Sequence, residues 1–254
     1  MLLLSYKNPA IPQGFCIFAG SNSFLYLVQP SVFKLLLPTA WLPSVEYFAL
    51  IATAAPVTIE VVESYPKQTC RNRCYIATAN KVMPLSVPVV KTDGNHTRTD
   101  RMGIAYTEPW QRNHWRTIEA AYRNSAWFIH YEDDLKHVFF ERHQTLVAMN
   151  DLLIQQLARS MKLKVALEKT RIWSHSAEVS IDLRGAFEAT NPLIPHDPSL
   201  FPSYFQNFAD RYGFQSNLSV IDLLFNCGPE AGDYLKTLGE KLLKRLSPEV
   251  INQP

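Results

Sequence analysis

Residues 35–62 read LLLPTAWLPSVEYFALIATAAPVTIEVV, and the fold class turns on them. Leu35–Leu37 is a short apolar run that reads as a buried strand. Ser44 stands where a helix N-cap belongs, and Tyr47, Phe48 and Ile51 recur with helical spacing behind it. Val57–Val62 is rich in β-branched residues and reads as a second strand. Such a strand–helix–strand unit allows one right-handed parallel crossover.

Beyond it, a polar turn at Tyr65–Thr69 leads to predicted strands near Cys74–Thr78 and Leu85–Val90, a turn at Asp93-Gly94, and a further strand within Met102–Tyr106. Helical patterns follow at Trp110–Asn124, Tyr131–Phe140 and Arg142–Ser160, with Val165–Leu167 returning to a sheet. Pro192, Pro195, Pro198 and Pro202 rule out regular helix or central strand between 191 and 202. Short helices are predicted at Tyr204–Arg211, ended by Gly213, and at Val220–Phe225, before a last one at Glu230–Leu246. Sustained βαβ alternation is absent. The expected class is therefore α+β or mixed α/β, with one mixed sheet from the N-terminal half covered by helices from the C-terminal half.

The chain has 254 residues, 47% hydrophobic and 19% charged, enough for one sizeable core. Residues 1–33 break this pattern. Phe15–Val28 is apolar but interrupted by Gly20–Ser23, and it is short of the ~20 residues of a membrane-spanning helix. They are expected to be a poorly packed extension, in keeping with an overcalled translation start, ahead of a single domain at 34–254. A net charge of +2 does not supply the basic field that nucleic-acid binding needs. Cys16, Cys70, Cys74 and Cys227 are scattered and lack a neighbouring His, so they read as thiols in a reducing, cytoplasmic setting rather than as disulfides or a zinc site.

Glycine-rich dinucleotide loops, phosphate loops, metalloprotease helices and nucleophile elbows are all missing, and no cofactor is indicated. The segment from Tyr65 to Arg73 is the most suggestive. Lys67, Arg71 and Arg73 lie between two predicted strands, where a rigid scaffold can display anion-binding groups, and Asn72 could fix orientation. The alternative is a solvated basic turn. His114 shares the inward face of its helix with Ile118 and Ala121, as a general base or as a satisfied interior histidine. Asn150 interrupts an apolar stripe, so it either stitches helices together or faces a polar cavity. Ser219 with Asp222 reads as a helix cap with a capping-box-like partner.

An ordered set of residues resembles the bacterial WbqC-like family. It comprises Pro38, Pro43 and Tyr47-Phe48, then Tyr65, Lys67 and Asn72-Arg73, then Leu85–Val89, Trp110, His114 and Tyr122. It closes with Leu218-Ser219, Ile221–Asn226 and Gly228–Glu230. The resemblance spans about Leu35 to Leu238. It implies a link to O-antigen and surface-polysaccharide synthesis, and a glycine-type (aminoacyl) transferase role. Two departures stand out: the family's His–x–Pro opening reads Leu36-Leu37-Pro38 here, and its acidic pair after the second strand is replaced by Val61-Val62.

Two functions follow as expectations. The first is an acyl or aminoacyl transferase acting on a small-molecule sugar or nucleotide-sugar, with His114 as base and Tyr65, Lys67, Asn72, Arg73 and Asn150 binding substrate. The second is a non-catalytic binding or assembly protein that recognises an anionic sugar, nucleotide or protein partner. Both exclude nucleic acid and a stable membrane span, and neither fixes the oligomeric state.

Overall fold

The computed structural model describes residues 34–54, 56–174, 181–188, 191–192 and 198–246. The expected extension at 1–33 lies outside the described residues. The class is mixed α/β. Its centre is a four-stranded parallel sheet of β1 (Leu35–Pro38), β2 (Val57–Glu60), β7 (Leu167–Lys169) and β8 (Ile181–Asp182), in the order β7-β2-β1-β8.

The opening unit forms as its residues dictate. Leu35 pairs with Val57 and Pro38 with Glu60, in parallel register. Between them runs α1 (Val45–Thr53), whose N-cap Ser44 accepts a hydrogen bond from the Tyr47 amide at 3.3 Å. The outer strands come from the C-terminal half: β7 pairs with β2 through Val57↔Leu167, and β8 with β1 through Leu35↔Ile181. The antiparallel pairs stand apart from this sheet as ribbons. These are β3 (Arg73–Ala77) with β4 (Val82–Ser86), β5 (Val89–Val90) with β6 (Gly103–Ile104), and β9 (Phe187–Glu188) with β10 (Asn191–Pro192). A parallel strand pair needs a long crossover, whereas β3 and β4 close through the short 78–81 turn, which Thr78 braces on the Lys81 carbonyl.

Helices α2 (Trp110–Tyr122), α3 (Phe128–Phe140) and α4 (Leu146–Ser160) follow the predicted periodicity. Of the predicted Tyr204–Arg211 helix only α5 (Ala209–Tyr212) is regular, and Gly213, at φ 76°, ends it as expected. Then come α6 (Val220–Cys227) and α7 (Ala231–Leu246). Helix α7 lies directly against α1, because Gly239 admits it: a Cβ there would stand 2.4 Å from the Ala49 carbonyl. Among the described residues no helix is long and apolar enough to cross a membrane.

Ser219 corrects the capping expectation. It occupies the N-cap position of α6, but its hydroxyl donates to the Leu42 carbonyl at 2.8 Å and caps nothing. Asp222 likewise turns away from a capping box and accepts from Tyr204 Oη at 2.7 Å and Gln206 Nε2 at 2.8 Å. Both are buried, so their polar atoms take the tertiary partners that face them rather than local amides.

Glu46, in the first turn of α1, is buried. Its Oε2 accepts from Asn217 Nδ2 at 3.0 Å, while Oε1 is buried without a partner. Burial, opposed by the Asn217 hydrogen bond, pushes its carboxyl up to about 7 from 4.5. The folded state then binds the proton more tightly than the unfolded chain. This contribution to stability is complete below pH ~4.5 and disappears as pH rises through about 7. Glu46→Gln is expected to raise the melting temperature at pH 8, by on the order of 2 kcal/mol of stability, and to leave it unchanged near pH 4.5. Thermal melts of both proteins across that range check the sign; an equal shift at both ends would refute it.

Candidate functional site

In open parallel sheets ligands bind outside the carboxyl ends of the strands, where neighbouring connections diverge. In this chain that edge is built around a charge network. Glu60, the last residue of β2, is buried. Its Oε1 accepts from the amides of Val62 at 2.7 Å and Glu63 at 3.2 Å, and from Thr170 Oγ1 at 2.8 Å just past β7. Its Oε2 meets Arg184, just past β8, at 3.3 Å, and Arg184 also clasps Asp182 at 2.6 Å.

The chain turning back from Glu60 presents Glu63, whose Oε1 takes Arg71 Nε at 2.7 Å. Arg71 is 1% exposed. Its other nitrogens go to Thr69 Oγ1 at 3.0 Å and the Arg184 carbonyl at 3.2 Å, so each of its three nitrogens has a partner inside the protein. Burial raises the Glu63 carboxyl above its ordinary range, against the charge and hydrogen bond of Arg71 and with the help of Glu60.

A second group of side chains sits on the β3–β4 ribbon. Ser86 holds both of its members. Its hydroxyl accepts from Arg73 Nε at 2.8 Å, and its carbonyl lies 2.9 Å from His114 Nε2 on α2. A carbonyl can only accept, so Nε2 carries the proton and the neutral ring keeps its lone pair on Nδ1. The imidazole packs against Trp41 and Trp110, with ring centres 5.9 and 5.6 Å away. Burial lowers its pKa, opposed by the Ser86 hydrogen bond.

Tyr65 lies between the two groups. It is buried, its hydroxyl has no hydrogen-bond partner, and it feels the charges of both Arg71 and Arg73. It shares this with Asn72 Oδ1 and Asn150 Oδ1, which are also buried without a partner.

The profile of the WbqC-like protein family matches residues 39–199. The chain belongs to the WbqC-like family. The uncharacterized protein Rv1507c of Mycobacterium tuberculosis (strain ATCC 25618 / H37Rv) is 28% identical over 221 residues, covering 77% of this chain and 94% of that protein. No solved structure matches this chain.

The expected site residues of this WbqC-like protein are only partly brought together. Arg73 and His114 meet at Ser86, with Tyr65 alongside. Asn72 is spent on the ribbon, donating to the Val87 carbonyl at 2.8 Å, with its Oδ1 buried and unpartnered. Lys67 is solvent-exposed on the loop. Asn150 is fully buried on α4, where Nδ2 donates to Thr39 Oγ1 at 3.1 Å and the Arg71 carbonyl at 2.9 Å. It ties α4 to loop residues rather than to another helix, and its Oδ1 has no partner.

The sequence reading missed Glu60, Glu63 and Arg184. Two of these carboxylates flank Val61-Val62, the dipeptide at which the resemblance implied an acidic pair. The signal was available: an acid closing a β-branched strand, followed three residues later by another, is a conflict with burial unless cations answer it. Replacing Thr170 by valine, similar in shape but without the hydroxyl, tests the network. It removes a donor to Glu60 and orphans the Val61 amide, bonded to Thr170 Oγ1 at 3.0 Å. Chemical denaturation should show a loss of about 1–3 kcal/mol; a neutral result would mean that water replaces the hydroxyl freely.

Proposed function

We propose that this WbqC-like protein is an acyl or aminoacyl transferase acting on the amine of a sugar or nucleotide-sugar in surface-polysaccharide synthesis. The observation that carries the reading is the junction at Ser86, which holds a half-buried guanidinium and a neutral imidazole on one residue. Arg73 commits only Nε within the described residues, which leaves its two terminal nitrogens for a phosphate or carboxylate. Lys67, exposed nearby in sequence, adds charge to the same approach. His114, its tautomer set by Ser86, has Nδ1 to accept the proton that the attacking amine loses and to hand it to the leaving group. The trapped indoles of Trp41 and Trp110 keep water from the ring's flanks.

A second reading, a binding or assembly protein, draws support from Leu36. It replaces the histidine of the family's opening motif and is 1% exposed inside the sheet. No polar group occupies that position, and if the family's chemistry depends on one, this chain retains only recognition.

Titration calorimetry and turnover assays with nucleotide-sugars and acyl thioesters separate the two. Arg73→Ala should weaken binding of a phosphorylated ligand by roughly 10- to 100-fold. His114→Ala should spare binding and abolish turnover. Because burial lowers the His114 pKa, the acidic limb of kcat/KM should have its midpoint below 6.5, with a plateau through neutral pH. Saturable binding without turnover in wild type would favour the second reading.

A further inference from the structure

The β3–β4 ribbon that carries the Ser86 junction has two unlike faces. Side chains alternate across a strand, so Cys74, Ile76 and Leu85 point one way, and all three are buried in the core. Arg73 and Tyr75 on β3 point the other way, directly opposite Ser86 and Pro84 on β4. None of these four is buried. Arg73 and Tyr75 are two steps apart on one strand, hence about 7 Å apart along the face. Arg73 has no ion pair among the described residues, and Nε is held by Ser86 Oγ at 2.8 Å. Because that hydroxyl accepts from Arg73, its own O–H is left to donate outward, and it has no acceptor among the described residues. The Tyr75 side chain makes neither a ring contact nor a hydrogen bond among them. An anion-binding fork, a spare hydroxyl donor and an uncommitted aromatic ring thus share one accessible face.

We propose that this outward ribbon face is the binding surface for a sugar phosphate, in which Arg73 and Ser86 take the phosphate and the Tyr75 ring lies against the sugar beside Pro84. The inference deepens the transferase reading and rests on its Arg73 anion contact. The free end of the guanidinium offers two parallel N–H groups, which match two oxygens of an anion. A carboxylate has no oxygen beyond those two, whereas a phosphate keeps another for the Ser86 O–H. A sugar ring has a face of C–H groups with hydroxyls around its rim. Laid flat on Tyr75, that face leaves water while the hydroxyls stay hydrated, and the aromatic ring loses little side-chain freedom in the process. Ser86 serves both halves of the site: its hydroxyl sets the phosphate end, and its carbonyl holds His114 at the β4 edge of the same ribbon.

Calorimetry on the full chain with N-acetylglucosamine 1-phosphate and inorganic phosphate tests this. Wild type should bind the sugar phosphate at least ~10-fold more tightly than inorganic phosphate. Tyr75→Leu should bring the two affinities within a few-fold of each other without altering that for inorganic phosphate, and Tyr75→Phe should keep the difference. Ser86→Ala should weaken both ligands by about 10-fold. If Tyr75→Leu fails to fold, saturation transfer from the aromatic protons of wild type to the sugar ring protons reads the same contact. Equal affinity of wild type for both ligands, an advantage that survives in Tyr75→Leu, or no transfer to the sugar protons overturns the sugar face and leaves the Arg73 contact standing. Unaltered phosphate binding in Ser86→Ala overturns the part given to its hydroxyl. Binding of neither ligand overturns the face together with the Arg73 contact. Binding that depends on Tyr75 but leads to no turnover upholds the face and counts against the transferase reading alone.

Discussion

The structure depends on one buried carboxylate. Glu60 ends a strand in the middle of a parallel sheet, where an unpaired charge would cost several kcal/mol. Four groups answer it: two amides of the returning chain, the Thr170 hydroxyl and the Arg184 guanidinium. Each comes from the carboxyl end of a strand or the segment just after it. Satisfying Glu60 therefore sets how β2, β7 and β8 finish, and it fixes the turn that delivers Glu63. From Glu63 the chain of constraint runs through Arg71 to the Arg184 carbonyl, closing a loop of ion pairs and hydrogen bonds. Such a loop contributes less to stability than to geometry, since a buried ion pair roughly balances its own desolvation.

Two buried polar clusters in the same molecule show what separates a site from a staple. Asp222 is as buried as Glu60, and burial also pushes its carboxyl up. Yet Tyr204 and Gln206 answer it, Gln206 reaches on to the Gln215 carbonyl and amide, and no surface-facing member remains. That cluster fastens the 204–215 segment to α6. The cluster around Glu63 keeps one carboxylate oxygen without a hydrogen bond among the described residues, and Tyr65, its hydroxyl likewise unpartnered, feels the charges of Arg71 here and of Arg73 on the ribbon.

Much of the fold was legible because its signals are local. Ser44, the β-branched run at Val57–Val62 and the stripe of α4 each state their structure within a few residues. The sheet's edges were not, since β7 and β8 are strands of three and two residues that acquire identity only by pairing with β2 and β1. Ser219 looked like a cap for the same reason in reverse: its local context is that of a cap, and only the approach of Leu42 redirects the hydroxyl. In the candidate site, His114 lies on the half-buried helix face that the sequence suggested, while Arg73, expected on the loop, stands as the first residue of β3. Arg71 was grouped with them as surface charge, because nothing near it in sequence announces that Glu63 folds back onto it.

Desolvation gives the two groups a common logic. A carboxyl taken out of water holds its proton more tightly and an imidazole less tightly. Glu63 rises from its ordinary value while His114 falls from its own, and each shift is driven first by burial. Both groups are thus held nearer their neutral forms than water would hold them. The opposing interactions, Arg71 on Glu63 and the Ser86 carbonyl on His114, limit each shift and orient each group. One degree of burial, applied to an acid on a sheet edge and a base on a neighbouring helix, tunes both.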